Sequence, residues 1–203
     1  IDPLDRNFKK FGHAMLEKQR QLIGAHPYYA CDPYHENKPP IKGDKYLQNV
    51  GKAISELYTS FDSQAVWVMQ AWSLREQIVK AVDKDKLLIL DIDGSKCEAT
   101  DGFWGYNFIS GTLNNFGDRN TLHGSIDALA ENKFTKEKEK YPNIVGTGLF
   151  MEGIFQNPLY FDLASDMLTR SDRPELDPWL KAYARRRYGS DEECLFEAVK
   201  GMH

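Results

Sequence analysis

An α/β fold built from parallel βα units, the later part of a (β/α)₈ barrel running into the start of an all-helical domain, follows from three observations. The apolar runs Ala65–Gln70 and Lys86–Ile92 lack a polar face and so suit strands buried on both sides, which belong to parallel sheets. Strand-like runs alternate with stretches of helical period as far as Gly148, the pattern of βα units, and beyond it the sequence reads as helix alone. A closed barrel of this kind takes roughly 250 residues. Five strands in 203 residues are therefore read as its latter part, and the sequence as a segment of a longer barrel.

The elements follow in order. Phe8, Phe11, Met15, Leu16 and Leu22 recur at three- and four-residue steps among Lys, Glu and Gln, predicting an amphipathic helix from Asp5 to Ile23. Tyr28–Cys31 is a short strand closed by Asp32-Pro33, and a polar loop ending in Pro39-Pro40 separates it from a second helix marked by Tyr46, Val50, Ala53, Ile54, Leu57 and Tyr58. The two apolar runs are the next strands, with a short helix over Leu74–Val82 between them. Asn107–Leu113 and Asn143–Gly148 are strands four and five, separated by a weaker helix near Leu122–Ala130. Leu159–Leu168, Pro178–Tyr188 and Asp191–Val199 are helices. The boundary falls at Ser171-Asp172-Arg173-Pro174, giving a barrel part over 1–170 and a helical part over 171–203.

Composition removes several function classes. With 26 basic and 30 acidic residues, net charge −4, and no long block of one sign, the sequence lacks the footprint of a nucleic-acid binder. Mean hydropathy is −0.56, and no apolar run reaches the ~18 residues that a spanning helix needs, so no membrane partner is expected. Cys31, Cys97 and Cys194 are scattered and odd in number, so no disulfide framework is legible. His13, His26, His35, His123 and His203 are equally dispersed and Cys31 with His35 is an isolated pair, so neither a metal nor another cofactor is expected. Arg185-Arg186-Arg187 reads as the solvated face of a late helix.

Candidate chemistry lies where strands end. Glu36 stands a few residues beyond the carboxyl end of the first strand and Glu152 beyond that of the fifth, on the face where barrel enzymes keep their sites. Two such carboxylates, 116 residues apart in sequence, are the chemistry that flanks a glycosidic bond, one as proton donor and one as nucleophile or base. Gln70 and Trp72 close the second strand, where an indole can stack on a sugar ring, whereas Trp67 within that strand reads as core. Asn114-Asn115-Phe116-Gly117 after the fourth strand offers amides for hydroxyl groups.

A competing pattern is Leu88-Ile89-Leu90-Asp91-Ile92-Asp93-Gly94-Ser95, which looks like the opening motif of haloacid dehalogenase-like, Mg-dependent phosphatases, with Asp91 as nucleophile and Asp93 as general acid. That motif normally opens its domain. Here two strands precede it, and the stretch before Gly117-Asp118 leaves no room for the Lys and Ser/Thr motifs that should intervene.

Taken in order, Asp32-Pro33-Tyr34-His35-Glu36, Ala65–Trp72, Leu87–Asp91, Asn115-Phe116-Gly117, Val145–Gly148 with Glu152-Gly153-Ile154 and Gln156-Asn157, and Ala184–Gly189 resemble the alpha-N-acetylglucosaminidases of glycoside hydrolase family 89. The resemblance implies a retaining exo-glycosidase that removes terminal alpha-linked N-acetylglucosamine from glycosaminoglycan or mucin-type glycans. It assigns the acid/base role to Glu36 and the nucleophile role to Glu152, and it sets His35 beside the acid/base and Trp72 where a tryptophan lines the sugar pocket; Gln70 and Asn115 join them as expected substrate contacts by their places after strands two and four. It further implies a carbohydrate substrate, no cofactor, an extracytoplasmic setting, and a partner in the missing amino-terminal part of the barrel. Two departures stand out: Met151 replaces a common Pro before the second glutamate, and Asp93-Gly94-Ser95 replaces an acidic segment. A glycan-binding remnant without catalysis is the non-enzymatic alternative.

Overall fold

The computed structural model describes residues 1–114, 116–117, 124–131, 133–153 and 156–202. Five strands form one parallel sheet in the order β1-β2-β3-β4-β5, with β1 Tyr28–Ala30, β2 Val66–Gln70, β3 Leu87–Asp91, β4 Phe108–Thr112 and β5 Ile144–Leu149. Sequential strands are thus spatial neighbours, as in a partial (β/α)₈ barrel. Among the described residues no helix is long and apolar enough to cross a membrane. The residues divide into two compact units, Ile1–Ile109 and Ser110–His203.

In the first unit, α1 (Phe8–Ile23) and α2 (Asp44–Phe61) bracket β1, and a single turn, α3 (Glu76–Val79), lies between β2 and β3. Registers fix which side chains share a face: Tyr29 lies opposite Trp67, and Trp67 opposite Leu87. Tyr29 stacks on Tyr58 of α2 at 5.2 Å between ring centroids. The face carrying Tyr29, Trp67, Met69, Leu87 and Ile89 is therefore the helix-covered one, and all five are buried. Alternate residues Val66, Val68, Gln70, Leu88 and Leu90 are only half-buried. The expectation of strands buried on both faces thus holds for one face, the other being only half-buried.

Close approach explains one glycine. A Cβ on Gly51 of α2 would lie 2.5 Å from the Ile78 carbonyl oxygen of α3, so the lack of a side chain lets the two helices meet.

The second unit contains α4 (Ile126–Ala130), α5 (Lys133–Lys140), α6 (Pro158–Met167), α7 (Leu176–Tyr188) and α8 (Glu193–Lys200). Ile126, Leu129, Phe134, Leu159, Leu163, Met167, Leu180, Tyr183, Phe196 and Val199 belong to one buried cluster. Helix α6 starts where expected because Asn157 caps it, its Oδ1 accepting the Tyr160 N–H at 3.3 Å, with Pro158 in the first turn. The helix expected near Leu122–Ala130 is seen from Ile126, Leu122 and His123 lying outside the described residues. Helix α5 was not expected, because Lys-Phe-Thr-Lys-Glu-Lys-Glu-Lys has one apolar residue and no period. Phe134, buried in the cluster, holds it.

Candidate active site

At the carboxyl end of β1 the chain enters Cys31-Asp32-Pro33-Tyr34-His35-Glu36, and β2 ends beside it at Gln70. The ladder runs one step past β1, the Cys31 N–H donating to the Val68 carbonyl at 3.1 Å. Asp32 then takes over from the backbone: its Oδ1 accepts the Gln70 N–H at 2.6 Å. Burial pushes the Asp32 carboxyl above its ordinary value, against the opposing pull of that N–H and of His35. Tyr34 has a left-handed backbone, φ 59°. Its phenol lies 2.9 Å from that of Tyr46 in the first turn of α2, and the Tyr46 hydroxyl donates to Asp2 Oδ2 at 2.6 Å. His35 and Glu36, the expected site residues of this loop, are exposed beyond those anchors.

Gln70 belongs to the half-buried face of the sheet, and Trp72 follows in a short 3₁₀ turn with half of its surface open. Trp67 is core, as its place within the strand predicts: it is 1% exposed and its indole N–H donates to the Cys31 carbonyl at 2.7 Å. The first unit thus collects Glu36, His35, Gln70 and Trp72 at the carboxyl ends of two adjacent strands. Burial also raises the Cys31 thiol, which keeps it protonated and a poor metal ligand. Among the described residues no three His, Cys, Asp or Glu side chains gather where they could hold a metal ion.

In the second unit, Glu152 is exposed three residues beyond β5, with the Gly117 N–H 3.5 Å from its Oε1. Asn115, the remaining expected contact, lies outside the described residues. Gln156 donates to the Gly153 carbonyl and Asn157 caps α6, so both shape the segment that follows Glu152.

Asp91 is built for a different task from that of a phosphatase nucleophile. It falls on the helix-covered face of β3 by the strand's alternation, is fully buried, and accepts the N–H groups of Lys96 at 3.2 Å and Cys97 at 3.0 Å. Asp93 closes its own turn, its Oδ1 accepting the Ser95 N–H at 3.0 Å. Both carboxylates order the loop after β3. Arg185 and Arg186 make exposed ion pairs with Asp191 and Asp162, at 3.6 and 4.0 Å, as a solvated helix face does.

Residues 1–171 match the model of the alpha-N-acetylglucosaminidase TIM-barrel domain. The chain belongs to this family. It is 31% identical over 206 residues to human alpha-N-acetylglucosaminidase, an alignment that covers 93% of this chain and 28% of that protein. It is similar to the family 89 glycoside hydrolase of Clostridium perfringens in complex with PUGNAc, with TM-score 0.87 and 26% identity over 98% of this chain and 23% of that one. It is also similar to a form of the C. perfringens enzyme with two glutamates changed to glutamine, in complex with its substrate GlcNAc-alpha-1,4-galactose; here the TM-score is 0.85 and the identity 25%, over 97% and 22% of the two chains. The chain thus spans about a quarter of the relatives it matches. The fold expected from the sequence, a partial barrel of this glycosidase family, is the one found.

The anchors of the Glu36 loop were not singled out from sequence. Asp32 was legible only as a strand-closing residue and part of a family motif, Tyr34 only as part of that motif, and Tyr46 only as an apolar position of a helix. A pair of phenols twelve residues apart, meeting across a loop, leaves no periodic signal.

Proposed function

We propose that the complete polypeptide containing this segment is a retaining exo-glycosidase that releases terminal alpha-linked N-acetylglucosamine from glycans by double displacement. Glu36 protonates the departing oxygen and later deprotonates water, and Glu152 attacks the anomeric carbon. Gln70, Trp72, His35 and Asn115 contact the sugar, Trp72 by stacking. The observation that carries this reading is the pairing of a substrate complex with the position of the glutamates. The C. perfringens enzyme was captured on its substrate after two glutamates, 118 positions apart in its own chain, became glutamine. Glu36 and Glu152 are 116 positions apart, each just beyond a strand's carboxyl end.

The chain over 1–170 supplies the later strands of the barrel, and 171–203 opens the helical domain; the family match, ending at residue 171, supports that boundary. Its partner is the earlier part of the same barrel. β1 is the strand at one end of the order, and beside it Phe11, Met15, Leu22 and Ile23 of α1 are exposed. A cleft of about 600 Å³ between α1, β1 and α2 is lined by Phe8, Met15, Leu16, Tyr29 and Leu57. Preceding βα units would pair the edge and cover the apolar surface.

The test is turnover of p-nitrophenyl alpha-N-acetylglucosaminide by the complete polypeptide without added metal, beside p-nitrophenyl phosphate with Mg²⁺. Glycoside cleavage that Glu152→Gln abolishes and Glu36→Gln lowers, least for this activated leaving group, is expected. Phosphatase activity alone would overturn the proposal.

A further inference from the structure

We infer that Tyr46 is a positioning residue for Glu36, acting through Tyr34 on the backbone of the loop that carries the carboxylate. The inference rests on the reading of Glu36 as the acid/base.

A proton donor must stand within hydrogen-bond reach of the departing oxygen, and an error of about 1 Å costs roughly 10²-fold. Glu36 is exposed, so its place depends on how the loop is tied down. One tie is Asp32 to the Gln70 N–H. The second is the phenol of Tyr34, whose φ of 59° is unfavourable for a residue with a Cβ and persists only where the surroundings hold it.

What holds it is a directed chain. Asp2 Oδ1 already accepts the Leu4 N–H at 2.8 Å, which orients the carboxylate, and Oδ2 accepts the Tyr46 hydroxyl at 2.6 Å. A phenol has one proton, and Tyr46 has given its own to Asp2. The 2.9 Å contact between the two phenols must then be donated by Tyr34. The order is Tyr34 to Tyr46 to Asp2, and each bond polarises the next. Burial pushes the Tyr46 phenol up, with further contributions from its bonds to Asp2 and Tyr34, so it remains a hydroxyl. Tyr46 is also fixed mechanically, buried on α2, whose Val50, Ile54 and Leu57 are buried as well. Without that acceptor Tyr34 can return to an ordinary φ, and the turn would swing His35 and Glu36.

The experiment measures kcat/KM of the complete polypeptide on GlcNAc-alpha-1,4-galactose, whose leaving oxygen needs protonation, and on p-nitrophenyl alpha-N-acetylglucosaminide, whose leaving group needs little. Tyr46→Phe, which removes acceptor order and donor together, is expected to lower the first by roughly 10- to 100-fold and the second by less than about 3-fold. Tyr34→Phe, which breaks one bond and leaves Tyr46 on Asp2, should show the same split at smaller size. Loss of folded protein would lower both substrates equally, so an equal fall, or no fall, overturns the inference. Should Tyr46→Phe fail to fold, Tyr34→Phe with hydrogen exchange over residues 33–38 decides: faster exchange with the split supports the inference, and unchanged exchange overturns it. Glu36→Ala is run beside them. If it shows the split and the tyrosine variants do not, only the positioning role falls; if it shows none, the acid/base reading falls and takes this inference with it.

Discussion

Asp32 Oδ1 accepts the backbone N–H of Gln70 at 2.6 Å, tying the loop after β1 to the last residue of β2. This bond joins the segment bearing Glu36 to the strand bearing Gln70 and Trp72. It also sets a pH dependence. Burial raises the Asp32 carboxyl above 3.8, its value in an unfolded chain, so between the two values the folded state binds more protons than the unfolded. Stability therefore falls as pH rises through that window, and the penalty persists above it. Asp32→Asn keeps an oxygen for the Gln70 N–H and removes the charge. Urea midpoints from pH 3 to 7 should show the variant equal to the parent at the acid end and gaining on it as pH rises. An advantage that grew toward acid instead would contradict the burial argument.

Two glycine replacements should separate backbone from side-chain contact. Alanine at Gly51 drives its Cβ to 2.5 Å from the Ile78 carbonyl oxygen, which cannot move unless α2 and α3 part. Alanine at Gly12 meets the Leu57 methyl carbons at 2.5 and 2.8 Å, and a leucine can change rotamer. Gly51→Ala is expected to cost about 1–3 kcal/mol. Gly12→Ala should fall well below that, since alanine also favours the helix. Equilibrium denaturation of both variants checks the order.

What the sequence made legible, and what it did not, follows from where the signal lies. β2 and β3 were readable because a strand under helices must be apolar at Trp67, Met69, Leu87 and Ile89, and the alternate residues Val66, Val68, Leu88 and Leu90 are apolar too. Helix α5 was not, because one phenylalanine in eight residues carries no period, and the cluster that buries it is completed by residues of α6, α7 and α8 distant in sequence. The short helix expected over Leu74–Val82 shrinks to Glu76–Val79, with Leu74 and Arg75 extended before it. Glu36 and Glu152 stood out by their places after strands. Their roles came from family resemblance, since a carboxylate's partner across a barrel is set by topology. The apparent phosphatase motif, which the sequence already argued against by its place mid-chain, has a local cause: an aspartate at a strand end with Asp-Gly-Ser close behind it also makes a tight, self-bonded loop.

That loop gives a prediction of its own. Asn at position 91 would retain one acceptor and turn an amide N–H₂ toward a backbone N–H, leaving a fully buried donor opposed by another. Asp91→Asn should lose about 1–3 kcal/mol of stability, read as a lower melting temperature. Wild-type protein should show no Mg-dependent phosphatase activity for the substitution to remove.

The two glutamates should part company in kinetics, measured on the complete polypeptide. Glu36 is needed twice in the proposed mechanism, as acid in the first step and as base in the second. Glu36→Ala should cost on the order of 10²- to 10⁴-fold with a poor leaving group, and much less in the first step with p-nitrophenolate, which departs almost unaided. Azide should then raise turnover, because a small anion attacks the glycosyl-enzyme without base assistance. Two inversions restore configuration, so the product is the alpha-glycosyl azide. Glu152→Ala removes the covalent intermediate itself. An activated leaving group should help it little, and azide, entering where the carboxylate stood, should give the beta product by one inversion. For one carboxylate to touch the anomeric carbon while the other reaches the leaving oxygen, the two groups must lie roughly 5 to 5.5 Å apart in the closed barrel. Alpha azide from Glu152→Ala and beta azide from Glu36→Ala would exchange the roles, while Glu36→Ala losing both substrates equally without azide rescue would remove Glu36 from the acid/base position.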